Sequence, residues 1–195
     1  FGVTALTTFL WPALRRGRRT TALIWTGWGL LLTTALAAFL LQGPRAADAG
    51  WPGVPHLVDL GNTLATGYGT ALLVRILALL LFIPLLVSAT IGRRRQFWAV
   101  LSGLLTVIVL VTIALGGHAG VGDDAWLAIP AAVLHLASMA TWLGGLAVLF
   151  VVMLPRLKKP QTIPDARLKI WSMTAFIAVV VLIITVEYQS WRQVQ

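Results

Sequence analysis

The sequence contains no cysteine, and only 11% of its 195 residues are charged. The absence of cysteine excludes disulfides, thiolate metal sites and cysteine nucleophiles, so histidine, methionine and carboxylates are the available metal ligands. A soluble domain of this length carries about a quarter charged residues. The low charge, together with 58% hydrophobic residues, therefore excludes a soluble globular protein, a disordered chain and a nucleic-acid-binding domain.

Six apolar runs divide the chain, and each except the first is long enough to cross about 30 Å of hydrocarbon as a helix. Because a backbone in lipid must satisfy its own hydrogen bonds, these runs predict an all-α, polytopic membrane helix bundle. We expect a single transmembrane domain over 1–195, incomplete at both ends because the first run is too short to span. The six runs are 1–14, 21–42, 71–92, 97–117, 126–155 and 170–191.

The net charge of +9 is unevenly distributed, because 12 of the 15 basic residues fall in three loops between the apolar runs. The other two connections, 43–70 and 118–125, hold four aspartates and a single basic residue, Arg45. Cytoplasmic loops carry the excess of lysine and arginine in membrane proteins. The pattern therefore predicts that the basic loops are cytoplasmic and the acidic loops are outside. The basic loops are 15–19, 93–95 and 156–169.

Turn and packing residues add local expectations. Gly43-Pro44 is a turn signal at the start of the outer loop 43–70, and a short helical turn is expected within 61–69. Gly144 and Gly145 are expected to let another helix approach closely, as small residues do in membranes.

Five polar residues are predicted to lie near the outer boundary of the membrane. Counted outward from the basic clusters, His118 and His135 lie 23 and 21 residues away, or about 34 and 32 Å along an ideal helix. Arg75 and Glu187 lie at about 27 Å, and Gln189 at about 30 Å. Ionisable residues within spans are costly and by default suggest function. For Arg75, a side chain that snorkels to the interface is an equally good interpretation.

His135 is the strongest candidate ligand, because an idle histidine among apolar and small residues would only cost free energy. Met139 follows one helical turn later on the same face. Histidine with methionine suits copper, and the thioether favours Cu(I), although methionine also serves as a gap filler in packing. His118 follows a helix end and His56 lies in the outer loop, where solvated histidines are ordinary; His56 is at most a weak entry ligand.

One segment resembles a known family. Residues 135–137 (His-Leu-Ala) followed by 142–146 (Trp-Leu-Gly-Gly-Leu) resemble the signature of the copper resistance protein D family. The resemblance extends over nearly the whole chain, through segments that are less specific. These segments are 11–12, 41–43, 69–80, 117–119 and 188–192.

The resemblance implies a multi-pass protein of the inner membrane, with about eight helices when complete, that acts in copper transport or copper resistance. It also implies a periplasmic or extracellular copper-binding partner, the copper resistance protein C domain, which is fused to many members and would then precede Phe1. The family's histidines map onto His118 and His135, so copper, as Cu(I) or Cu(II), is expected near them. Met139 would be a deeper ligand, and Glu187 or Gln189 would fix the tautomer of His135.

Two other functions fit the same residues. Two histidines on adjacent antiparallel helices at equal depth would also hold a haem iron axially, as in a transmembrane electron carrier. A copper chaperone or assembly factor would bind the metal without transporting it. No phosphate-binding loop, His-Glu-x-x-His helix or Ser-His-Asp constellation is present in the sequence, so we expect no enzymatic activity.

Overall fold

A computed structural model of the protein describes residues 2–9, 14, 17–46, 57–88, 95–120, 124–156 and 165–194. This described part is predominantly helical and contains no strand, which confirms the all-α fold class. Four of its helices have the length and the apolar composition to cross a bilayer, which supports a multi-pass membrane protein. These four segments are Arg18–Gln42, Gly67–Val87, Ala125–Met153 and Arg167–Arg192.

The described residues form seven α-helices and shorter turns that extend them. The helices are α1 (Gly2–Phe9), α2 (Arg18–Ala46), α3 (Leu57–Leu64), α4 (Gly67–Ser88), α5 (Arg95–Leu115), α6 (Ala125–Ala147) and α7 (Asp165–Val194). A 3-10 turn at His118–Gly120 follows α5. Helix α6 continues into a π-helix at Val148–Met153 and a 3-10 turn at Leu154–Arg156.

The six predicted runs correspond to helices of the structure. The run 1–14 contains the eight-residue α1, too short for a span. The run 97–117 corresponds to α5, which begins and ends two residues earlier than predicted, at Arg95 and Leu115.

Two predictions concern the connection 43–70: the turn is wrong and the short helix is confirmed. The turn predicted at Gly43-Pro44 is wrong, because α2 continues through both residues to Ala46. Helices in membranes tolerate glycine and proline where neighbouring groups satisfy the freed carbonyl. The short helix expected within 61–69 is present as α3, which begins earlier than predicted, at Leu57, and ends at Leu64.

Thr66 forms the junction between α3 and α4. Its Oγ1 accepts a hydrogen bond from the Gly69 N–H at 2.9 Å and donates to the Thr63 carbonyl at 2.7 Å. A threonine that accepts from the third amide of a helix is a standard N-cap and satisfies one of the unpaired donors there. Gly69 has no room for a side chain, since a Cβ would collide with the Thr63 carbonyl. The start of α4 is therefore held tightly against the end of α3.

The structure divides into two compact units, Phe1–Gly27 with Trp126–Gln195, and Trp28–Ala125. Each unit has its own buried side chains and is described by itself. The expectation of a single transmembrane domain over 1–195 stays a prediction.

In the unit Trp28–Ala125, α4 and α5 pack as an antiparallel pair. Arg75, early in α4, contacts Thr112, late in α5. Tyr68, earlier still in α4, lies beside Gly116, just past the end of α5, where a Cβ would be 2.7 Å from the tyrosine ring. Both helices carry buried apolar residues. They include Leu72, Leu79, Phe82, Leu105 and Val109.

The indole of Trp28 in α2 forms a hydrogen bond with the backbone in the middle of α4. Its Nε1 donates to the Leu79 carbonyl at 2.8 Å, which gives the indole N–H the partner that it needs away from water. The next carbonyl along α4, that of Leu80, loses its usual helical donor because the residue four positions later, Pro84, has no N–H.

In the other unit, α6 and α7 are also antiparallel. His135 in the first half of α6 contacts Thr185 near the end of α7, while Gly145 near the end of α6 lies against Trp171 near the start of α7. The core of this unit is built where Trp171 packs on the final turns of α6. Its buried members are Leu14, Val148, Val152, Met153 and Trp171.

The glycine pair of α6 allows two different close approaches, which confirms the prediction for Gly144 and Gly145. A Cβ on Gly145 would fall on the indole of Trp171. A Cβ on Gly144 would be 2.7 Å from the backbone nitrogen of Val3 in α1. Adjacent helical positions point about 100° apart, so the pair lets α7 and α1 approach α6 from two sides.

Arg19 satisfies a carbonyl near the end of α6. Its Nη1 donates to the Val151 carbonyl at 3.3 Å. In an α-helix this carbonyl would accept from the residue four positions later, but that residue is Pro155, which has no N–H. The local backbone is wound as a π-helix, in which the Leu154 N–H reaches back to the Leu149 carbonyl. The arginine thus gives the Val151 carbonyl a side-chain donor near the end of this π-helix.

Candidate metal site

His135 lies half-buried within α6, ten residues after the helix begins at Ala125. Its Nδ1 is 3.0 Å from Oγ1 of Thr185 on α7. This is a hydrogen bond between two side chains of antiparallel helices at the same level. The bond orients the imidazole ring, so His135 is a positioned group within a candidate membrane span.

Thr185 is buried, with 5% of its surface exposed. Its Oγ1 also lies 2.7 Å from the Val181 carbonyl oxygen and 3.1 Å from the Leu182 carbonyl oxygen. Threonines in helices commonly bond the carbonyl three or four residues earlier in this way. The hydroxyl therefore links the imidazole to the backbone of α7.

The sequence predicts Glu187 or Gln189 as the partner that fixes the His135 ring, but the residue that bonds the ring is Thr185. Glu187 is two residues beyond Thr185, or about 200° around the helix, and it is exposed. Gln189 is four residues beyond Thr185 and shares its face. Its Nε2 is buried and has no hydrogen-bond partner in the described part of the chain. The overlooked signal was the lone hydroxyl in the apolar run 175–186.

Met139 lies one turn after His135 on α6 and is 39% exposed. The spacing of four residues places both side chains on one face of the helix. A methionine that is this accessible is not a core-packing residue in the unit described. By contrast, Met153 is buried, with 6% exposed, in the core near Trp171. Met139 as a copper ligand stays a prediction.

Arg75 caps the end of α5. Its Nη2 donates to the Thr112 carbonyl at 2.6 Å, and its Nε donates to Thr112 Oγ1 at 3.3 Å. The amides that follow α5 turn elsewhere, since Gly116 donates to the Ile113 carbonyl and Gly117 to the Ala114 carbonyl, each at 3.2 Å. The last carbonyls of a helix lack internal partners and carry partial negative charge, which a cation stabilises. The bond to the Thr112 carbonyl therefore gives Arg75 a structural role at the end of α5.

The structure describes less of the other two histidines, His118 and His56. His118 begins the 3-10 turn after α5, but its side chain lies outside the described residues, as does the whole of His56. The prediction that His118 and His135 share a site, and that His56 is an entry ligand, therefore stays a prediction. Within the described residues, no group of three or more His, Asp or Glu side chains is placed to hold a metal ion.

Comparison of the chain with protein-family models, with curated proteins and with solved structures gives no match. The local geometry at His135 and the sequence resemblance are therefore the two foundations for a functional conclusion.

Proposed function

We propose that this protein is a multi-pass membrane protein that binds copper at His135 and moves it across the membrane, in copper uptake or copper tolerance. The observation that carries the proposal is the imidazole of His135, which lies within a candidate span and is oriented by Thr185. A histidine in such a position is costly unless it has a role. Copper is the ligand that a histidine with a methionine one turn away suits best.

The chemistry of the ring supports this proposal. Within the described part of the chain, Nδ1 has a hydrogen-bond partner, which leaves the second ring nitrogen for a ligand. Metal-bound histidines typically engage their other nitrogen in this way. Met139 supplies a soft thioether on the same helical face, and its side chain is not packed into the core of this unit, since the residue is 39% exposed. Further ligands would come from His118 and, more weakly, His56.

The same proposal assigns a location and a partner. The protein lies in the plasma membrane, or in the inner membrane of a cell that has two membranes. Its basic loops 15–19, 93–95 and 156–169 face the cytoplasm. This orientation follows from the distribution of lysine and arginine. His135, 21 residues from Arg156, then lies toward the outer face. A periplasmic or extracellular copper-binding domain delivers the metal there.

The first experiment measures bound metal. The full chain is purified in detergent with and without added copper, and its copper content and absorbance spectrum are recorded. We expect copper to bind the wild-type protein and to be lost from His135→Ala. Thr174→Val is the matched control, because it changes another half-buried polar residue of the same unit that the proposal does not use. Unchanged copper content in His135→Ala would refute a site at this residue. A Soret band in protein purified without added copper would favour the haem-carrying alternative.

The second experiment separates transport from storage or delivery. The protein is reconstituted in sealed vesicles, and copper entry is followed with a copper-sensitive dye inside. Transport predicts uptake by wild-type vesicles that His135→Ala abolishes. Copper binding without any flux would identify a chaperone or assembly factor instead.

A further inference from the structure

We propose that Thr185 is a positioning residue that holds His135 in the tautomer protonated at Nδ1, and that Nε2 is consequently the ligating atom. The tautomer follows from the hydrogen bonds alone. Only the assignment of copper to Nε2 rests on the proposed function.

The single proton of the Thr185 hydroxyl decides the direction of the bond. A threonine hydroxyl donates once and accepts through two lone pairs. Its oxygen lies 2.7 Å from the Val181 carbonyl oxygen and 3.1 Å from the Leu182 carbonyl oxygen. A carbonyl oxygen can only accept, so the one hydroxyl proton points toward these two carbonyls and most directly toward the closer one, that of Val181. The proton of Thr185 is thereby committed to the backbone of α7.

The imidazole must then provide the proton for the 3.0 Å contact between His135 Nδ1 and Thr185 Oγ1. A neutral imidazole protonated at Nδ1 carries its free lone pair on Nε2. The reverse arrangement would turn the hydroxyl proton toward the ring and leave the backbone carbonyls without it. Thr185 is only 5% exposed, and unmade hydrogen bonds are most costly where water cannot replace them.

Thr185 therefore acts on a ligand through the ring and not by touching the ligand. Removing the partner of a metal-binding histidine typically lowers metal affinity about 10–100-fold, because ring orientation and basicity both change. Without the hydroxyl, His135 would shift toward the tautomer protonated at Nε2, which free histidine favours in water. That tautomer cannot offer Nε2 to a metal.

The first test reads the tautomer directly, without metal. The chain has three histidines, so changing His56 and His118 to Gln leaves His135 as the only histidine signal. Two-bond 15N–1H spectra of this full chain in lipid nanodiscs distinguish the protonated nitrogen from the unprotonated one. We expect a protonated Nδ1, retention of this tautomer in Thr185→Ser, and its loss in Thr185→Val. A protonated Nε2 before Thr185 is changed would overturn the inference.

A matched control isolates the contact with the ring. Thr174 on α7 bonds the Ile170 carbonyl at 2.8 Å in the same local manner. Thr174→Val therefore removes an equivalent hydroxyl and should leave the His135 spectrum unchanged. If Thr174→Val shifts the tautomer as much as Thr185→Val does, the effect is not specific to the ring contact and the inference fails. The spectrum with Thr185 intact decides the tautomer even if Thr185→Val does not fold.

The second test measures copper affinity with all three histidines present. Thr185→Val should weaken copper binding about 10–100-fold, while Thr185→Ser and Thr174→Val should leave it near wild type. Unchanged affinity in Thr185→Val would contradict the positioning role. If the wild-type spectrum shows a protonated Nδ1 but no copper binds, the tautomer assignment stands and the proposed function is the part that fails.

Discussion

The guanidinium of Arg75 on α4 closes the end of α5 by donating to the carbonyl oxygen of Thr112 at 2.6 Å. This bond joins two helices and places a cation where the last carbonyls of α5 concentrate negative charge. An arginine within an apolar helix has here an identifiable acceptor, in contrast to a side chain that only reaches for the interface.

Replacing Arg75 by Met should lower the stability of the α4–α5 pair. Hydrogen bonds from charged donors contribute about 1.5–3 kcal/mol, so we expect a loss of that order in the free energy of unfolding, measured in mixed micelles. Thr112→Val is the control, because it keeps the carbonyl and removes only the two bonds of the hydroxyl, the one from Arg75 Nε at 3.3 Å and the one to the Val109 carbonyl at 2.8 Å. A loss in Thr112→Val equal to that in Arg75→Met would show that the carbonyl contact is not the important one.

Adding a methyl group at Gly145 should destabilise the unit that contains α6 and α7. A Cβ there would fall on the indole of Trp171, and overpacking typically costs about 1–3 kcal/mol. In contrast, Gly103→Ala should be neutral or stabilising, because its Cβ meets no atom within 4 Å and alanine favours helix over glycine. A double-mutant cycle of Gly145→Ala with Trp171→Leu should reveal strong coupling. Additive effects would contradict a direct collision.

The bond between Arg19 and the Val151 carbonyl should contribute little to stability. Arg19→Gln should reduce stability only slightly, by about 1 kcal/mol or less, since the contact is exposed. The measurement is the unfolding midpoint of the chain in mixed micelles. Arg18→Gln, which changes the exposed arginine next to it in the sequence, is the matched control. An equal loss in both variants would mean that the contact with the Val151 carbonyl does not contribute.

Met139→Leu should weaken Cu(I) binding more than Cu(II) binding, because a thioether matters chiefly to the softer ion. The change should leave the fold intact, since Met139 is 39% exposed. Met173→Leu, at a position that is 61% exposed on α7, is the matched control. The measurement is competition against a chromophoric chelator for each oxidation state. Equal Cu(I) affinity in wild type and Met139→Leu would remove Met139 from the ligand set.

A reporter fused after Arg95 should be found in the cytoplasm. The expectation rests on 12 of 15 basic residues falling in the three basic loops, which favour the cytoplasmic side. The measurement compares a reporter active only in the cytoplasm with one active only outside. A second fusion within the acidic connection 118–125 should give the opposite result, and an external signal after Arg95 would invert the proposed topology.

The sequence alone determined the features that depend on local pattern. Long apolar runs predicted an all-α membrane protein, because the cost of an unsatisfied backbone in lipid leaves helices as the simplest solution. The Gly144-Gly145 pair predicted close helix approach, because only the absence of a Cβ permits it. The turn predicted at Gly43-Pro44 is wrong, since its local signal did not outweigh the helical span that runs through it.

The tertiary structure decided which side chain meets which across two helices. Thr185, and neither Glu187 nor Gln189, bonds His135, because partner choice depends on the rotation and register of α6 against α7. Depth counted along a helix says how far a residue lies from a loop, but successive residues point about 100° apart. For the same reason the role of Arg75 at the end of α5 became visible only once Thr112 lay opposite it.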